Sequence, residues 1–195
     1  MAVRRRRALL VWAAVAVVAG ALLVVGLAGH GTALGRPAPA LPRVALVGPA
    51  VTLDTLLGRR GGPSGVAKHG HQRPGTSGSA GGGHAALVLF WASWCEPCQH
   101  EAPAVERFAQ SAVGRGRIVG VDYGESDGTG PRGFLRSYRW SFPNLSDPDA
   151  QAGEAYGVTN LPNIFVIDAR GRIAAVLRGP QTEQSLTRAL AAARS

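Results

Sequence analysis

Residues 90–98 have the sequence FWASWCEPC and hold both cysteines of the chain, Cys95 and Cys98. Two cysteines separated by two residues can close a small disulfide ring, so they can cycle between dithiol and disulfide. The preceding residues 85–91 are a continuous apolar run of strand length, and a stretch with helical spacing begins at Cys98. The pattern predicts a buried strand that leads into a redox-active dithiol at the N-terminus of a helix.

The predicted helix gives the two sulfurs different surroundings. Cys95 would lie at the helix N-terminus, where unpaired backbone N–H groups and the helix dipole favour negative charge, so we expect it to be the nucleophilic thiolate. Cys98 would lie one turn further in and resolve the mixed disulfide that Cys95 forms with a substrate. Two other interpretations stay open: a structural disulfide, although so small a ring constrains little of the chain, and a zinc site, which lacks a second ligand pair apart from loop histidines.

The residues around the cysteines indicate which protein family the chain resembles. The sequence WCEPC at residues 94–98, followed by Glu101 and Pro103, resembles the TlpA/ResA-like branch of the thioredoxin superfamily. That branch contains membrane-tethered, extracytoplasmic thiol–disulfide proteins of cytochrome c maturation. The resemblance implies an α/β, thioredoxin-like fold with an N-terminal β-hairpin extension, preceded by one transmembrane helix. In that extension, residues 44–47 are expected to form a strand and residues 51–57 a second strand or one helical turn.

The resemblance also implies roles for single residues. Glu101, three residues after Cys98 and on the same helix face, would move the proton of Cys98. Thioredoxin has a buried Asp for this purpose six residues before its first cysteine, and that position is Leu89 here. An ordinary exposed helical glutamate is the alternative. The Leu161–Pro162 peptide bond is expected to be cis and to lie against the dithiol, where the neighbouring backbone pairs with an extended substrate segment.

Three residues beside the cysteines are expected to tune the redox potential, namely Trp94, Glu96 and Pro97. The carboxylate of Glu96 opposes a thiolate on Cys95 by like charge, which makes the disulfide less oxidising than a neutral or basic residue would. Replacement of Glu96 by Gln or His should therefore raise the reduction potential.

The N-terminal sequence predicts an exported, anchored domain. Residues 1–7 form a basic tail with Arg4 to Arg7, which is expected to stay in the cytoplasm, and residues 8–28 carry no charge and are long enough to span a bilayer as a signal anchor. A linker rich in Gly, Pro and Ala follows at 29–42, before a thioredoxin-like domain at 43–195. The catalytic domain would then be extracytoplasmic, where disulfides form, on a single-pass protein of the cell membrane. A cleaved signal peptide is the alternative, although its apolar core is usually shorter.

A stretch at 61–84, rich in Gly and Ser, departs from the family pattern and predicts a flexible insertion in the domain. It contains His69 and His71 and ends at His84, and a His-x-His pair can bind metal. We interpret these histidines as incidental to a solvated loop and expect no metal site and no cofactor.

Composition excludes some function classes. The formal net charge is +9, but the basic residues outside the N-terminal tail are scattered, which argues against nucleic-acid binding. A peroxiredoxin-like peroxidase is disfavoured because both cysteines of the chain lie in the dithiol.

The function class that these exclusions leave is a thiol–disulfide oxidoreductase. The resemblance implies a reductase of disulfides in exported proteins such as apocytochrome c, recharged by a membrane thiol electron carrier. Alternatives are an oxidase that forms disulfides in secreted proteins and a tethered copper-binding module.

Overall fold

The computed structural model describes residues 34–59 and 83–193, which contain six strands and five helices. These residues belong to the second of two units into which the chain divides, Met1–Thr32 and Ala33–Ser195. The strands are β1 (Val44–Val47), β2 (Ala86–Trp91), β3 (Ile118–Tyr123), β4 (Asn144–Asp147), β5 (Asn163–Ile167) and β6 (Ile173–Arg178). The helices are α1 (Leu53–Leu56), α2 (Glu96–Gln110), α3 (Thr129–Ser137), α4 (Gln151–Tyr156) and α5 (Glu183–Ala192).

The strands form one mixed sheet in the order β1-β4-β3-β2-β5-β6. β2 is parallel to β3 and antiparallel to β5, while β1 and β6 pair antiparallel at the two edges. All six residues of β2 are apolar and buried, as expected for a strand that is covered on both faces. This mixed sheet with helices confirms the predicted α/β class.

The residues of β2 alternate between two cores. Leu89 and Trp91 cluster with residues of α2, α3 and α5, whereas Val88 and Phe90 cluster with residues of α1 and α4. Helix α2 is held on the first core by Phe108, whose side chain is completely buried. Truncation of such a side chain to alanine costs about 3–5 kcal/mol, so the helix that carries the cysteines is firmly seated on the sheet.

The N-terminal extension differs from the hairpin that the resemblance implies. Strand β1 forms where it is predicted, but it pairs antiparallel with β4, and residues 53–56 form helix α1. The side chain of Thr52 accepts a hydrogen bond from the backbone N–H of Thr55 at 3.2 Å, which caps this helix, and Leu56 and Leu57 are buried at its end. The prediction of a β-hairpin is therefore wrong, whereas one helical turn, the other prediction for residues 51–57, agrees with this capped helix and its two buried leucines.

The folded domain also begins before the predicted boundary at residue 43. The backbone N–H of Gly35 donates to Ile173 O at 2.8 Å, and that of Ala38 donates to Gly171 O at 2.8 Å. The guanidinium of Arg36 donates to the carbonyl of Tyr156 at 2.8 Å. The second part of the expected linker is thus attached to the β5–β6 hairpin and to α4.

Several predictions concern residues outside the described part of the chain. They are the basic tail at 1–7, the anchor at 8–28, the first residues of the 29–42 linker and nearly all of the 61–84 insertion, including His69 and His71. Within 34–59 and 83–193, no helix has the length and apolar character needed to cross a bilayer.

Candidate active site

Cys95 and Cys98 form a disulfide, with their Cα atoms 5.2 Å apart. Strand β2 ends at Trp91, a short turn follows, and Cys95 is the N-cap residue of α2. The backbone N–H of Cys98 donates to the sulfur of Cys95 at 3.2 Å. The sequence prediction that Cys95 lies at a helix N-terminus with Cys98 one turn inside agrees with this geometry.

The first turn of α2 can stabilise a thiolate on Cys95 in the reduced protein. An N–H group directed at the sulfur and the positive end of the helix dipole both favour negative charge there. Cys98 is completely buried, and Cys95 is 4% exposed but lines a surface cavity. Of the two sulfurs, Cys95 is therefore the one that a substrate can reach.

The cavity beside the disulfide is about 340 Å³ in volume. Its lining residues come from the active-site turn (residues 92–95, between β2 and α2), from the start of α2, from β3 and from the segment before β5: Trp94, Cys95, Glu96, Pro97, Tyr123, Val158, Thr159, Asn160 and Leu161. The Leu161–Pro162 peptide bond is cis, as the resemblance implies. Trp94 is 67% exposed, which leaves a large apolar surface beside the nucleophilic sulfur.

Glu101 is buried, with 2% of its surface exposed. One carboxylate oxygen, Oε2, accepts a hydrogen bond from the backbone N–H of Gln181 at 2.8 Å, and Oε1 is buried with no partner in the described residues. Burial raises the pKa of Glu101 to about 8, against the lowering effect of the Gln181 N–H. The alternative of an exposed helical glutamate is therefore wrong, while the acid–base role stays a prediction.

The residues between the cysteines are in solvent. The side chain of Glu96 is 85% exposed, with a distance of 4.0 Å from its Oε1 to Nε2 of His100. Pro97 lies in the first turn of α2, where its missing N–H costs no helical hydrogen bond. The tuning roles of Trp94, Glu96 and Pro97 stay predictions.

Sequence reasoning missed a second group of residues, on the other side of the turn. Ser93 donates two hydrogen bonds to Glu125, from its backbone N–H at 2.5 Å and from its hydroxyl at 2.6 Å. The carbonyl of Ser93 accepts a bond from the side chain of Gln99 at 3.0 Å. Asp122, at the end of β3, is completely buried nearby. A carboxyl within the otherwise apolar sequence IVGVDY was the signal that could have found it.

Within the described ranges, no three His, Cys, Asp or Glu side chains are grouped so that they could hold a metal ion. Of the loop histidines, His84 is described, and its Nε2 lies 3.1 Å from the carbonyl oxygen of Leu56.

A disulfide at the N-terminus of a helix that follows a central strand, with a cis-proline segment lining the same cavity, defines a thioredoxin-like thiol–disulfide oxidoreductase. The chain matches the AhpC/TSA family over residues 67–176 and belongs to that family.

Three relatives whose names describe thiol–disulfide exchange are similar to this chain. The chain is 32% identical to the thiol:disulfide interchange protein HelX of Rhodobacter capsulatus, over 86% of this chain and 88% of HelX. It is 35% identical to the thiol-disulfide oxidoreductase ResA of Bacillus subtilis, over 53% of this chain and 58% of ResA. It is also 30% identical to a thiol:disulfide interchange protein DsbE homolog of Paracoccus denitrificans, over 79% and 71% of the two chains.

Solved structures share the fold. A putative thiol:disulfide interchange protein DsbE from Chlorobium tepidum aligns with a TM-score of 0.62 at 23% identity, over 82% of this chain and 96% of that one. The dsbF protein of MTB aligns with a TM-score of 0.58 at 26% identity, over 80% and 96%. These structures confirm the predicted thioredoxin-like fold, and the family match with the relatives HelX and ResA confirms the predicted class of enzyme.

Proposed function

We propose that this protein is an extracytoplasmic reductase that opens disulfides in exported proteins, with Cys95 as nucleophile and Cys98 as resolving thiol. The observation that carries the proposal is the position of the disulfide, with one sulfur on a surface cavity at the N-terminus of α2 and the other sealed behind it. The names of the relatives as thiol:disulfide interchange proteins and oxidoreductases support the same chemistry.

Reduction proceeds in two exchanges. The Cys95 thiolate attacks one sulfur of the substrate disulfide, a mixed disulfide forms, and the other substrate sulfur leaves as a thiolate that takes up a proton. Cys98 then loses its proton and attacks the Cys95 sulfur, which closes the Cys95–Cys98 disulfide and releases the second substrate thiol. Two electrons pass from the dithiol to the substrate.

Glu101 acts as the proton relay for Cys98. Its pKa of about 8 lies close to the value of about 8.5 for a free thiol, so a proton can pass between the two groups at little cost. Oε1, which has no partner among the described residues, is available for that proton, while the Gln181 N–H binds Oε2.

The cavity beside Cys95 receives the substrate as an extended segment. Leu161, next to the cis-proline Pro162, lines this cavity together with the exposed Trp94. Backbone pairing next to Pro162 and apolar contact with Trp94 would tolerate many sequences, which suits a partner such as apocytochrome c with its cysteine pair.

Location and electron supply complete the proposal. The apolar residues 8–28 behind four arginines would anchor the chain in the cell membrane with the domain outside, and a membrane thiol carrier would return electrons to the dithiol. A carbonate-washed membrane fraction should retain the full-length chain, whereas a cleaved form would be released.

Substrate trapping tests the chemistry. A Cys98→Ser variant should accumulate mixed disulfides between Cys95 and exported proteins, because the resolving thiol is missing. A Cys95→Ser variant is the matched control and should capture none. Equal capture by both variants would contradict the assignment of Cys95 as nucleophile.

The direction of exchange is tested in cells. After acid quenching and denaturation, alkylation should find the dithiol mostly reduced if the protein is a reductase. A mostly oxidised dithiol would overturn this direction and favour a disulfide-forming oxidase.

A further inference from the structure

Asp122 is a buried carboxyl that the exchange mechanism does not use. It lies near the end of β3, paired in register with Trp91, the last residue of β2 before the active-site turn. Its exposed fraction is 0%, and no N–H or O–H group of the described residues donates to either of its oxygens. An ionised carboxylate in this position would be desolvated without any compensating hydrogen bond.

The titratable groups that face Asp122 are both acidic. Glu125 follows β3 in the chain and lies within hydrogen-bonding reach, and Asp147 ends the neighbouring strand β4. Asp147 accepts bonds from the backbone N–H groups of Ala152 and Gly153 at 3.0 and 2.9 Å. Burial first, and then the nearby acidic groups, raise the pKa of Asp122 to about 9. At neutral pH its side chain is therefore a carboxylic acid with one O–H to donate.

Glu125 is the carboxylate that could accept that O–H. Two ionised carboxylates have no hydrogen-bond donor between them, whereas a proton on Asp122 supplies one. Glu125 also accepts both bonds from Ser93, so its position decides where the backbone of Ser93 lies. Ser93 precedes Cys95 by two residues, and Gln99 of α2 binds its carbonyl from the other side.

We propose that Asp122 is a positioning residue: it keeps one proton, donates it in a hydrogen bond to Glu125, and thereby holds Ser93 and the turn that carries Cys95. This inference rests on the exchange function proposed above. When Asp122 loses its proton at alkaline pH, repulsion between the two carboxylates loosens the bonds of Glu125 to Ser93. Exchange at Cys95 then declines for a reason other than cysteine ionisation.

The test follows Ser93 in the full-length chain with the disulfide intact, so that no cysteine titrates. The Ser93 Cβ resonance, recorded by carbon-detected NMR, should shift with a midpoint near pH 9 in the wild type. In Asp122→Asn, whose amide can still donate to Glu125 but cannot ionise, the resonance should stay fixed from pH 6 to 10. Glu101→Gln is the matched control, because it removes another buried carboxyl with a raised pKa and should leave the Ser93 titration in place.

Exchange activity provides the second readout. Asp122→Asn and the wild type should have similar rates at pH 7, and their ratio should rise several-fold in favour of the variant above pH 9. Asp122→Leu, which lacks the donor, should lose roughly tenfold in rate at pH 7. If Asp122→Leu does not fold, Asp122→Asn alone still decides the question.

A Ser93 resonance that is independent of pH in the wild type, or that titrates equally in Asp122→Asn, would overturn the role of Asp122. Failure of the proposed exchange function is distinguishable, because it would appear as inactivity of the reduced wild type at every pH while the NMR titration persisted.

Discussion

The two sides of the active-site turn each contain a buried carboxyl, and the two carboxyls have different surroundings. On the α2 side, one carboxylate oxygen of Glu101 accepts a hydrogen bond from the Gln181 N–H, and the other oxygen has no partner among the described residues. On the β3 side, Asp122 receives no hydrogen bond from an N–H group of the described residues and faces Glu125 and Asp147. A carboxyl with one anchored and one open oxygen can exchange a proton during a reaction. A carboxyl among other acids keeps its proton and serves as a hydrogen-bond donor.

The largest effect is expected at Glu101, because its substitution should remove the group that exchanges a proton with Cys98. Glu101→Gln should slow resolution of the mixed disulfide by about 100-fold at pH 7, because general acid–base catalysis typically contributes that much or more. Rapid-quench measurement of the second exchange would show it. Glu106→Gln is the matched control on the same helix, since both oxygens of Glu106 are already occupied by Gln110 and Ser141. Equal slowing in both variants would contradict a specific role for Glu101.

The second prediction concerns stability, where the two carboxyls should act alike. Their folded pKa values of about 8 and about 9 lie above the ordinary values of 4.5 and 3.8. Between these limits the unfolded chain releases protons that the folded protein retains, so the free energy of unfolding falls as pH rises from about 4 to 9. The slope is at most about 1.4 kcal/mol per pH unit for each group.

Urea unfolding at pH 5, 7 and 9 measures this slope. Glu101→Gln and Asp122→Asn should each flatten it, and in Asp122→Asn the fall should end near pH 8, because Glu101 is then the remaining group with a raised pKa. Stability that rises between pH 5 and 9 in the wild type would refute the raised pKa values of both groups.

A third prediction tests the β3 side through the first turn of α3. A Cβ atom on Gly130 would lie 2.7 Å from the hydroxyl of Ser93 and 3.3 Å from Oε2 of Glu125. Gly130→Ala should therefore displace the Ser93–Glu125 contact, lower the free energy of unfolding by about 1–3 kcal/mol and slow exchange several-fold.

Gly133→Ala is the matched control in the same helix, because its Cβ would have no neighbour within 4 Å among the described residues. Without a clash, this change should stabilise the helix by about 0.5–1 kcal/mol and leave exchange unaltered. Denaturant unfolding and a disulfide-reduction assay on both variants measure the difference. Similar behaviour of the two would mean that the Ser93–Glu125 contact yields without consequence.

The smallest effect is expected from the exposed carboxylate between the cysteines. Glu96→Gln should raise the reduction potential by about 5–20 mV, because an exposed charge is screened by solvent. Equilibration with a glutathione redox buffer resolves a shift of this size. A shift in reduction potential larger than that caused by Glu101→Gln or Asp122→Asn would contradict this expectation.

Local sequence patterns were sufficient for much of this architecture. The apolar run before the dithiol predicts β2, and the helical spacing after Cys98 predicts α2. The cis peptide at Leu161–Pro162 came from family resemblance, since X-Pro bonds are rarely cis in general.

The β3 side of the site could not be found in the same way. Ser93 and Glu125 are 32 positions apart, and their contact depends on the parallel register that places Asp122 beside Trp91. Pairing register is a property of the assembled sheet, so no local pattern specifies it. The sequence did not decide between a strand and a helical turn at α1 for a related reason. The segment is too short for its pattern to separate the two, and the burial of its leucines in the assembled domain selects the helix.

The complete burial of Cys98 has a consequence for how the reduced protein would be counted by thiol reagents. A bulky maleimide added to the native reduced chain would reach the sulfur of Cys95 and leave that of Cys98 unlabelled until the helix opens. One thiol per chain would then be labelled fast and the other slowly. The slow rate would measure local opening of α2, in addition to the oxidation state that the total number of labelled thiols gives.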